Sequence, residues 1–194
     1  NSTSIDLLTK GNYSHYEFLG AVENFFTKCA PAVFMGWSNL NFDRRMFHFN
    51  FFKGNRYPYA THSSPNSEHD GLHIARAAQT LNPDTLKTEL TEAGNPSLAL
   101  ESLSRMQGFD TSASHTAYVD AQNSLKVLRI IKDKHKENWS TFLKTSTKTS
   151  VETFLKNEGI YSIFENVKGR NMMYLTGTLH PNHCFHPSYA SWGY

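Results

Sequence analysis

Apolar side chains recur at helical spacing in several stretches of the chain. Ser14 is followed three residues later by Glu17, which is the capping-box pattern of a helix start. Apolar residues then follow at intervals of three and four, which predicts an amphipathic helix that ends near Lys28. The same spacing predicts a helix over 70–81 and a longer one from 115 to about 134.

Shorter predicted elements lie between these helices in the sequence. Residues 32–37 are almost wholly apolar, which predicts a buried strand of a parallel or mixed sheet. A polar loop follows, and Asp43 then opens a phenylalanine-rich segment that is predicted to be helical up to Gly54. A further helix is predicted to be capped by Ser97 and ended by Gly108, since glycine is common just past a helix C-terminus.

The pattern changes towards the C-terminal end. Residues 141–153 are rich in Thr, Ser and Lys and are predicted to form a connector, whereas 160–164 and 171–176 have the composition of strands. The sequence therefore predicts an α/β fold in which a first domain over residues 1–134 is followed by a connector and the beginning of a β-domain over residues 135–194.

Composition limits the class of protein. The 194 residues are 39% hydrophobic and 13% aromatic, enough for a packed core. No apolar run approaches the roughly 18 residues of a membrane span, so no membrane association is expected. The two cysteines, Cys29 and Cys184, fit neither a zinc pattern nor a disulfide framework, which predicts a reducing, cytoplasmic location.

Net charge is only +2, so overall charge does not indicate nucleic-acid binding. Between residues 126 and 148, however, basic side chains outnumber acidic ones, and such a surface attracts phosphate backbones. The alternative is an ordinary solvated helix face. The basic members are Lys126, Arg129, Lys132, Lys134, Lys136, Lys144 and Lys148.

Two motifs carry candidate chemistry. Residues 36–43 read Gly-Trp-Ser-Asn-Leu-Asn-Phe-Asp, and residues 115–120 read His-Thr-Ala-Tyr-Val-Asp. Asp43 follows a strand and a loop, where α/β proteins place catalytic groups. His115 and Asp120 lie about one helical turn apart, which suits a general base beside a carboxylate that holds a metal ion. Each residue also has a plain structural alternative: a helix cap for Asp43 and a surface side chain for the other two.

These motifs resemble those of the DEDDh group of 3′→5′ exonucleases and, within it, the bacterial exodeoxyribonuclease I family. The second family motif is similar to residues 36–43, and the five-residue offset from His115 to Asp120 is similar to the third. Further segments carry the resemblance over nearly the whole chain: Pro58-Tyr59-Ala60, Asp70 with Arg76, Ser97 to Gly108, and Leu175-Thr176-Gly177.

The resemblance implies a ribonuclease-H-like exonuclease domain followed by the start of an SH3-like domain. It implies release of 5′-mononucleotides from the 3′ end of single-stranded DNA in repair and recombination, with two Mg²⁺ ions, or Mn²⁺ instead, at the scissile phosphate. His115 would act as general base, Asp120 would ligate a metal, and Asp43 would hold the second ion directly or through water.

The resemblance also implies substrate contacts and partners. Tyr59 and Arg76 match positions that touch the DNA strand in the family, and stacking and phosphate contacts suit sequence-independent binding. Asn39 and Phe42 are candidates for the pocket of the 3′ terminus, with packing and loop hydrogen bonding as their alternative roles. Single-stranded-DNA-binding protein is a further expected partner, and a monomer is expected because no dimer seam is evident.

Two departures from the family pattern limit the expectation. The first family motif, Asp-x-Glu on an apolar strand, is not found before Asp43, so the chain is expected to be a fragment with an incomplete exonuclease domain and an incomplete second domain. Ala99 stands where a basic residue is expected. A catalytically incomplete module that binds single-stranded nucleic acid is therefore the alternative function. An RNA-directed or proofreading exonuclease of the same group is a third, disfavoured by the β-segments that follow residue 134.

Overall fold

The computed structural model describes residues 9–11, 13–112 and 116–177. Helices and strands alternate in the first half, and an antiparallel hairpin closes the described part. In chain order the elements are α1 (His15–Cys29), β1 (Val33–Gly36), α2 (Asp43–Lys53), β2 (Ser67–Asp70), α3 (Gly71–Leu81), α4 (Leu100–Met106), α5 (Ala117–Lys134), α6 (Lys136–Leu143), α7 (Lys148–Glu158), β3 (Ile160–Val167) and β4 (Arg170–Gly177). The mixed α/β class predicted from the sequence is confirmed.

Two pairs of strands organise these elements. Strands β1 and β2 are parallel, with Val33 opposite Ser67 and Gly36 opposite Asp70, and α2 lies in the connection between them. Parallel neighbours require such a crossover. Strands β3 and β4 form an antiparallel hairpin. In the described residues, each of these sheets has two strands.

Several predicted helices are found where the sequence indicates. The Ser14–Glu17 capping box is present in both directions, and α1 ends at Cys29, one residue beyond the predicted limit. Helix α2 begins at Asp43, and Gly54 occupies its C-cap as predicted. The segment over 70–81 forms α3 with Asp70 as its N-cap, and α5 is the longest helix of the described residues.

Three predictions in this half need correction. Strand β1 was predicted to be buried, but its residues are exposed or half-buried, because Phe34 and Met35 border an open cavity. Strand β2 is absent from the prediction, because its Ser-Glu-His-Asp sequence has none of the apolar signal of a strand. Ser97 does not cap α4. That helix begins at Leu100, with Ala99 at the N-cap and no side-chain cap bond.

The predicted connector over 141–153 is also wrong in part. Helix α6 ends at Leu143, and α7 begins at Lys148 within the Thr/Ser/Lys-rich stretch. Composition suggested irregular structure, but Thr147 caps α7 by accepting a hydrogen bond from the Ser150 N–H. The reciprocal bond from Thr147 N–H to the Ser150 hydroxyl completes the cap, so polar residues here start a helix.

The main core lies where α3, α4 and α5 meet. Its side chains are almost completely buried and come from segments 74–86, 98–103 and 127–131. They are Ile74, Ala75, Ala78, Leu86, Leu98, Leu103, Val127, Leu128 and Ile131. A second, smaller cluster joins Leu19 and Phe26 of α1 to Phe51 of α2. Within the described ranges, no helix is both long and apolar enough to cross a membrane.

Candidate active site

A large open cavity of ≈ 1020 Å³ lies beside β1, between α2 and α5. Four of the residues predicted from the two motifs line it: Asn39, Phe42, Asp43 and Asp120. Asp43 and Asp120 are far apart in sequence, so only the fold brings them to the same cavity. Both carboxylates thus line one cavity, and their roles as metal ligands stay a prediction.

Asp43 reaches the cavity because β1 ends at Gly36 and a short loop then turns the chain into α2. Asp43 is the first residue of that helix and is solvent-exposed. The capping alternative does not apply, because Phe42 occupies the N-cap position and no side chain caps this helix start. A carboxylate in the first turn is also stabilised by the positive end of the helix dipole.

Asp120 lies in the first turn of α5 and is half-buried. Its backbone N–H donates to the Thr116 carbonyl at 3.0 Å, which fixes this turn of the helix below the cavity. His115, the predicted general base, lies outside the described residues. Its position relative to Asp120 therefore stays a prediction.

A third carboxylate in the cavity wall was not predicted. Glu68 of β2 has a side chain that is only 4% exposed. It accepts hydrogen bonds from Arg44 Nε and from the Thr61 hydroxyl, and His62 Nδ1 lies 3.8 Å from its Oε1. A buried carboxylate with these partners is a structural anchor between β2 and the first turn of α2, next to Asp43.

Tyr59 lies in a separate aromatic cluster. Its ring centroid is 5.2 Å from that of His48, 5.4 Å from that of His62 and 5.7 Å from that of Tyr57. Burial lowers the pKa of His48 and of His62, which outweighs the opposing effect of the nearby Glu68 carboxylate. Both imidazoles are therefore neutral near neutral pH, and the cluster is uncharged beside the Glu68–Arg44 pair.

Arg76 of α3 lines a different cavity, of ≈ 330 Å³, on the far side of the loop that follows β1. Trp37 and Ser38 form one wall, and Asn166 and Asn171 of the β3–β4 hairpin form another. The Nε atom of Arg76 is buried and has no hydrogen-bond partner among the described residues. The predicted substrate contacts thus divide into two groups: Asn39 and Phe42 beside the carboxylates, and Tyr59 and Arg76 away from them.

The predicted basic surface over 126–148 does not form one face. Arg129 and Lys132 line the large cavity. Lys134 instead donates to the Asp84 carbonyl at 2.7 Å, and Lys148 lies 3.8 Å from Glu152. Only part of this basic segment is therefore placed to attract a phosphate into the carboxylate cavity.

The donors in the cavity suit a hard cation only in part. Carboxylate oxygens are ligands that Mg²⁺ accepts, and Mg²⁺ is commonly held by one or two carboxylates together with substrate phosphates. Asp43 and Asp120, which line one cavity, supply two donors of this kind. Among residues 9–11, 13–112 and 116–177, no group of three His, Cys, Asp or Glu side chains could hold a metal ion. Two ions would need further oxygen donors.

Comparison with known proteins supports the resemblance drawn from the motifs. Exodeoxyribonuclease I of Haemophilus influenzae is 26% identical over 140 residues, which cover 72% of this chain and 29% of that protein. Exodeoxyribonuclease I of Buchnera aphidicola subsp. Baizongia pistaciae is 27% identical over 178 residues, which cover 87% of this chain and 36% of that protein. The chain is similar to bacterial exodeoxyribonuclease I. The resemblance predicted from the motifs is thereby confirmed.

Solved structures of exonuclease I share the fold. Escherichia coli exonuclease I in complex with a dT13 oligonucleotide has a TM-score of 0.78 at 18% identity, and the match covers 93% of this chain and 40% of that one. An ExoI/SSB-Ct complex has a TM-score of 0.76 at 17% identity, covering 94% and 41% of the two chains. No protein-family model matches the sequence. The chain spans about a third of the length of the curated relatives it matches.

Proposed function

We propose that the protein acts as a 3′→5′ exonuclease that degrades single-stranded DNA to 5′-mononucleotides in DNA repair and recombination. The observation that carries this proposal is the meeting of Asp43 and Asp120 in one open cavity. The similarity to proteins named exodeoxyribonuclease I over most of the chain supports the same chemistry.

In this proposal the carboxylates of Asp43 and Asp120 bind Mg²⁺, or Mn²⁺ in its place, together with the substrate phosphate. Bound there, the metal would supply charge stabilisation at the scissile phosphate. His115 precedes α5 by two residues and would take the proton of the attacking water. The described residues offer no group of three such ligands, so the two-ion site of the proposal requires oxygen ligands beyond Asp43 and Asp120.

The remaining predicted residues would hold the DNA strand. Asn39 and Phe42 line the carboxylate cavity and would contact the 3′-terminal nucleotide. The Arg76 guanidinium, with a buried Nε that has no partner in the described chain, is suited to a phosphate farther along the strand. Tyr59 is nearly half exposed and would stack on a base of the strand.

The domain division is part of the same proposal. We infer a ribonuclease-H-like exonuclease domain over 1–134, and a connector with the start of an SH3-like domain over 135–194, of which the β3–β4 hairpin is described. Single-stranded-DNA-binding protein is the proposed protein partner, since one structural neighbour is an ExoI/SSB-Ct complex. A monomer in the cytoplasm, where the DNA substrate lies, completes the proposal.

The test measures metal-dependent binding of a fluorescent oligodeoxythymidylate with a free 3′ end by anisotropy. We expect Mg²⁺ or Mn²⁺ to strengthen binding by the wild-type chain, and Asp43→Asn and Asp120→Asn each to remove that metal-dependent gain. Asp133→Asn is the matched control, because Asp133 lies on the same helix as Asp120 and is solvent-exposed, away from the cavity lining. A metal effect that survives both cavity substitutions would contradict the proposal.

A second function is favoured by one specific observation. The acids that line the described cavity are Asp43, Asp120 and Glu68, and Glu68 is already engaged by Arg44 and Thr61. That donor set favours a module that binds single-stranded nucleic acid without cutting it. We expect the chain by itself to show weak metal binding, salt-sensitive DNA binding and no release of nucleotides. Mg²⁺-dependent shortening of the 3′ end by residues 1–194 would exclude the binding-only function.

A further inference from the structure

Asp70 joins three segments with one carboxylate. It is the last residue of β2, has an exposure of 0%, and lies opposite Gly36 in the parallel pair. Its Oδ1 accepts from the Ser38 N–H at 2.8 Å and from the Leu72 N–H at 2.9 Å. Its Oδ2 accepts from the Leu40 N–H at 3.4 Å. The bond to Leu72 caps α3, whereas the other two hold the loop that follows β1.

That loop leads directly to the carboxylate cavity. It runs from Trp37 to Phe42, and Asn39 and Phe42 line the cavity before Asp43 begins α2. The Arg44 N–H also donates to the Asn39 carbonyl at 2.9 Å, so the loop and the first turn of α2 move together. Any force that fixes the loop therefore fixes the position of Asp43.

The loop needs such a force because its backbone is strained. Ser38 has a φ of 58°, in the left-handed region that residues other than glycine rarely adopt. A residue of this kind keeps its conformation only where neighbouring contacts impose it. The Asp70 carboxylate supplies one of these contacts directly, through the Ser38 N–H.

The position of Asp70 is itself fixed by close packing. A Cβ added to Gly71 would lie 2.9 Å from the Gly36 carbonyl oxygen and 3.1 Å from the Trp37 ring. The start of α3 therefore lies directly against the end of β1. Asp70, at 0% exposure, is fully enclosed at this junction.

We propose that Asp70 is a positioning residue for the cavity: it holds the Ser38–Phe42 loop so that Asn39 and Asp43 face Asp120. The proposal deepens the proposed function and rests on it for the identity of the ligand. Helix capping alone does not explain the residue, because serine caps a helix as well as aspartate does. Serine has a single oxygen on a shorter side chain, so a hydroxyl that turns to cap Leu72 cannot also reach Ser38 and Leu40.

This difference gives the test. Asp70→Ser keeps a cap for Leu72 but releases the loop, and Asp70→Ala removes both. We expect amide hydrogen exchange at Ser38 and Leu40 to accelerate by about tenfold or more in Asp70→Ser, with the Leu72 amide unchanged. The matched control is Ser14→Ala, which removes the cap of α1 and lowers stability without touching the loop.

A second measurement follows the cavity itself. In the wild type, titrated Mn²⁺ should broaden the NMR signals of Asp43 and Asp120 at the same concentration. In Asp70→Ser the concentration needed should rise by about tenfold, because residues that orient metal ligands contribute to metal affinity on this scale. Ser14→Ala should leave the titration unchanged at a temperature where both variants are folded.

The outcomes separate the two proposals. If Mn²⁺ broadens neither signal in the wild type, the proposed function is contradicted, while the exchange experiment still decides the role of Asp70. If the loop amides in Asp70→Ser exchange as slowly as in the wild type, Asp70 does not position the loop. Should the serine variant not fold, Asp70→Asn keeps Oδ1 for Ser38 and Leu72 and places an NH₂ group at Leu40. Faster exchange at Leu40 alone would then support the role, and unchanged exchange there would overturn it.

Discussion

The main core and the cavity side of the molecule use apolar residues in opposite ways. Around α3, α4 and α5 the aliphatic side chains are buried, and Leu103 is 0% exposed. Around β1 and α2 many of the aromatic side chains face solvent, and Phe52 of α2 is 78% exposed. The first region can hold the fold. The second keeps an open surface beside Asp43 and Asp120, and α5 contributes side chains to both regions.

The largest expected loss of stability comes from a substitution in the main core. Leu103→Ala should lower the free energy of unfolding by about 3 kcal/mol, because it removes buried methyl groups and leaves a cavity. Leu125→Ala is the matched control on the cavity side, where the leucine is 50% exposed, and it should cost less than about 1 kcal/mol. Urea unfolding followed by circular dichroism measures both. Equal losses would show that the cavity side is packed as tightly as the core.

The second effect tests what holds the cavity side together. Arg44→Ala leaves the Glu68 carboxylate buried without its cationic partner. Fully buried pairs cost about 3–5 kcal/mol when broken in this way, and the partial exposure of Arg44 reduces our expectation to about 2 kcal/mol. The neighbouring Arg45 is exposed, so Arg45→Ala should change the unfolding free energy by less than about 0.5 kcal/mol. A loss that is the same for both arginines would mean that the pair does not anchor α2.

The two regions also differ in how much of them could be predicted from the sequence. Helices α1, α3 and α5 follow from apolar periodicity, and α1 follows also from the capping box at Ser14, since these signals lie within a few residues of each other. Helix α2 was placed correctly because Gly54 marks its end and the motif marks its start.

Strand β2 could not be predicted in this way. Its four residues are polar, and the partners that make their burial acceptable are distant in sequence: Arg44 and Thr61 for Glu68, and Ser38 for Asp70. One signal was available, because Glu68 and Asp70 are two residues apart and would share a face of any strand. The motifs therefore located Asp43 and Asp120, but the residues that hold the cavity wall emerged only from the fold.

His69 connects the two regions and carries the smallest expected effect. Its Nδ1 accepts from the Asp70 N–H at 2.9 Å, and its Nε2 lies 2.6 Å from the Phe142 carbonyl, to which it donates. This pattern requires the neutral imidazole. Burial lowers the pKa of His69, and the nearby His73 adds to that effect, while the bond to the Phe142 carbonyl and the Asp70 charge oppose it. The structure thus ties the end of β2 to α6 through an uncharged ring.

The sign of the pH dependence follows from this lowered pKa. Above the ordinary histidine value of 6.5 both the folded and unfolded states hold a neutral His69, and its contribution to stability is complete. As pH falls below that value, the unfolded chain binds the proton first, so stability decreases until the folded pKa is passed.

His69→Gln should therefore lose less unfolding free energy between pH 7 and pH 5 than the wild type does, because roughly one histidine's contribution to that loss is removed. Burial also lowers the pKa values of His48, His62 and His135, so these histidines should maintain the remaining dependence of stability on pH. If the pH dependence of His69→Gln equals that of the wild type, the β2–α6 connection does not depend on the neutral ring.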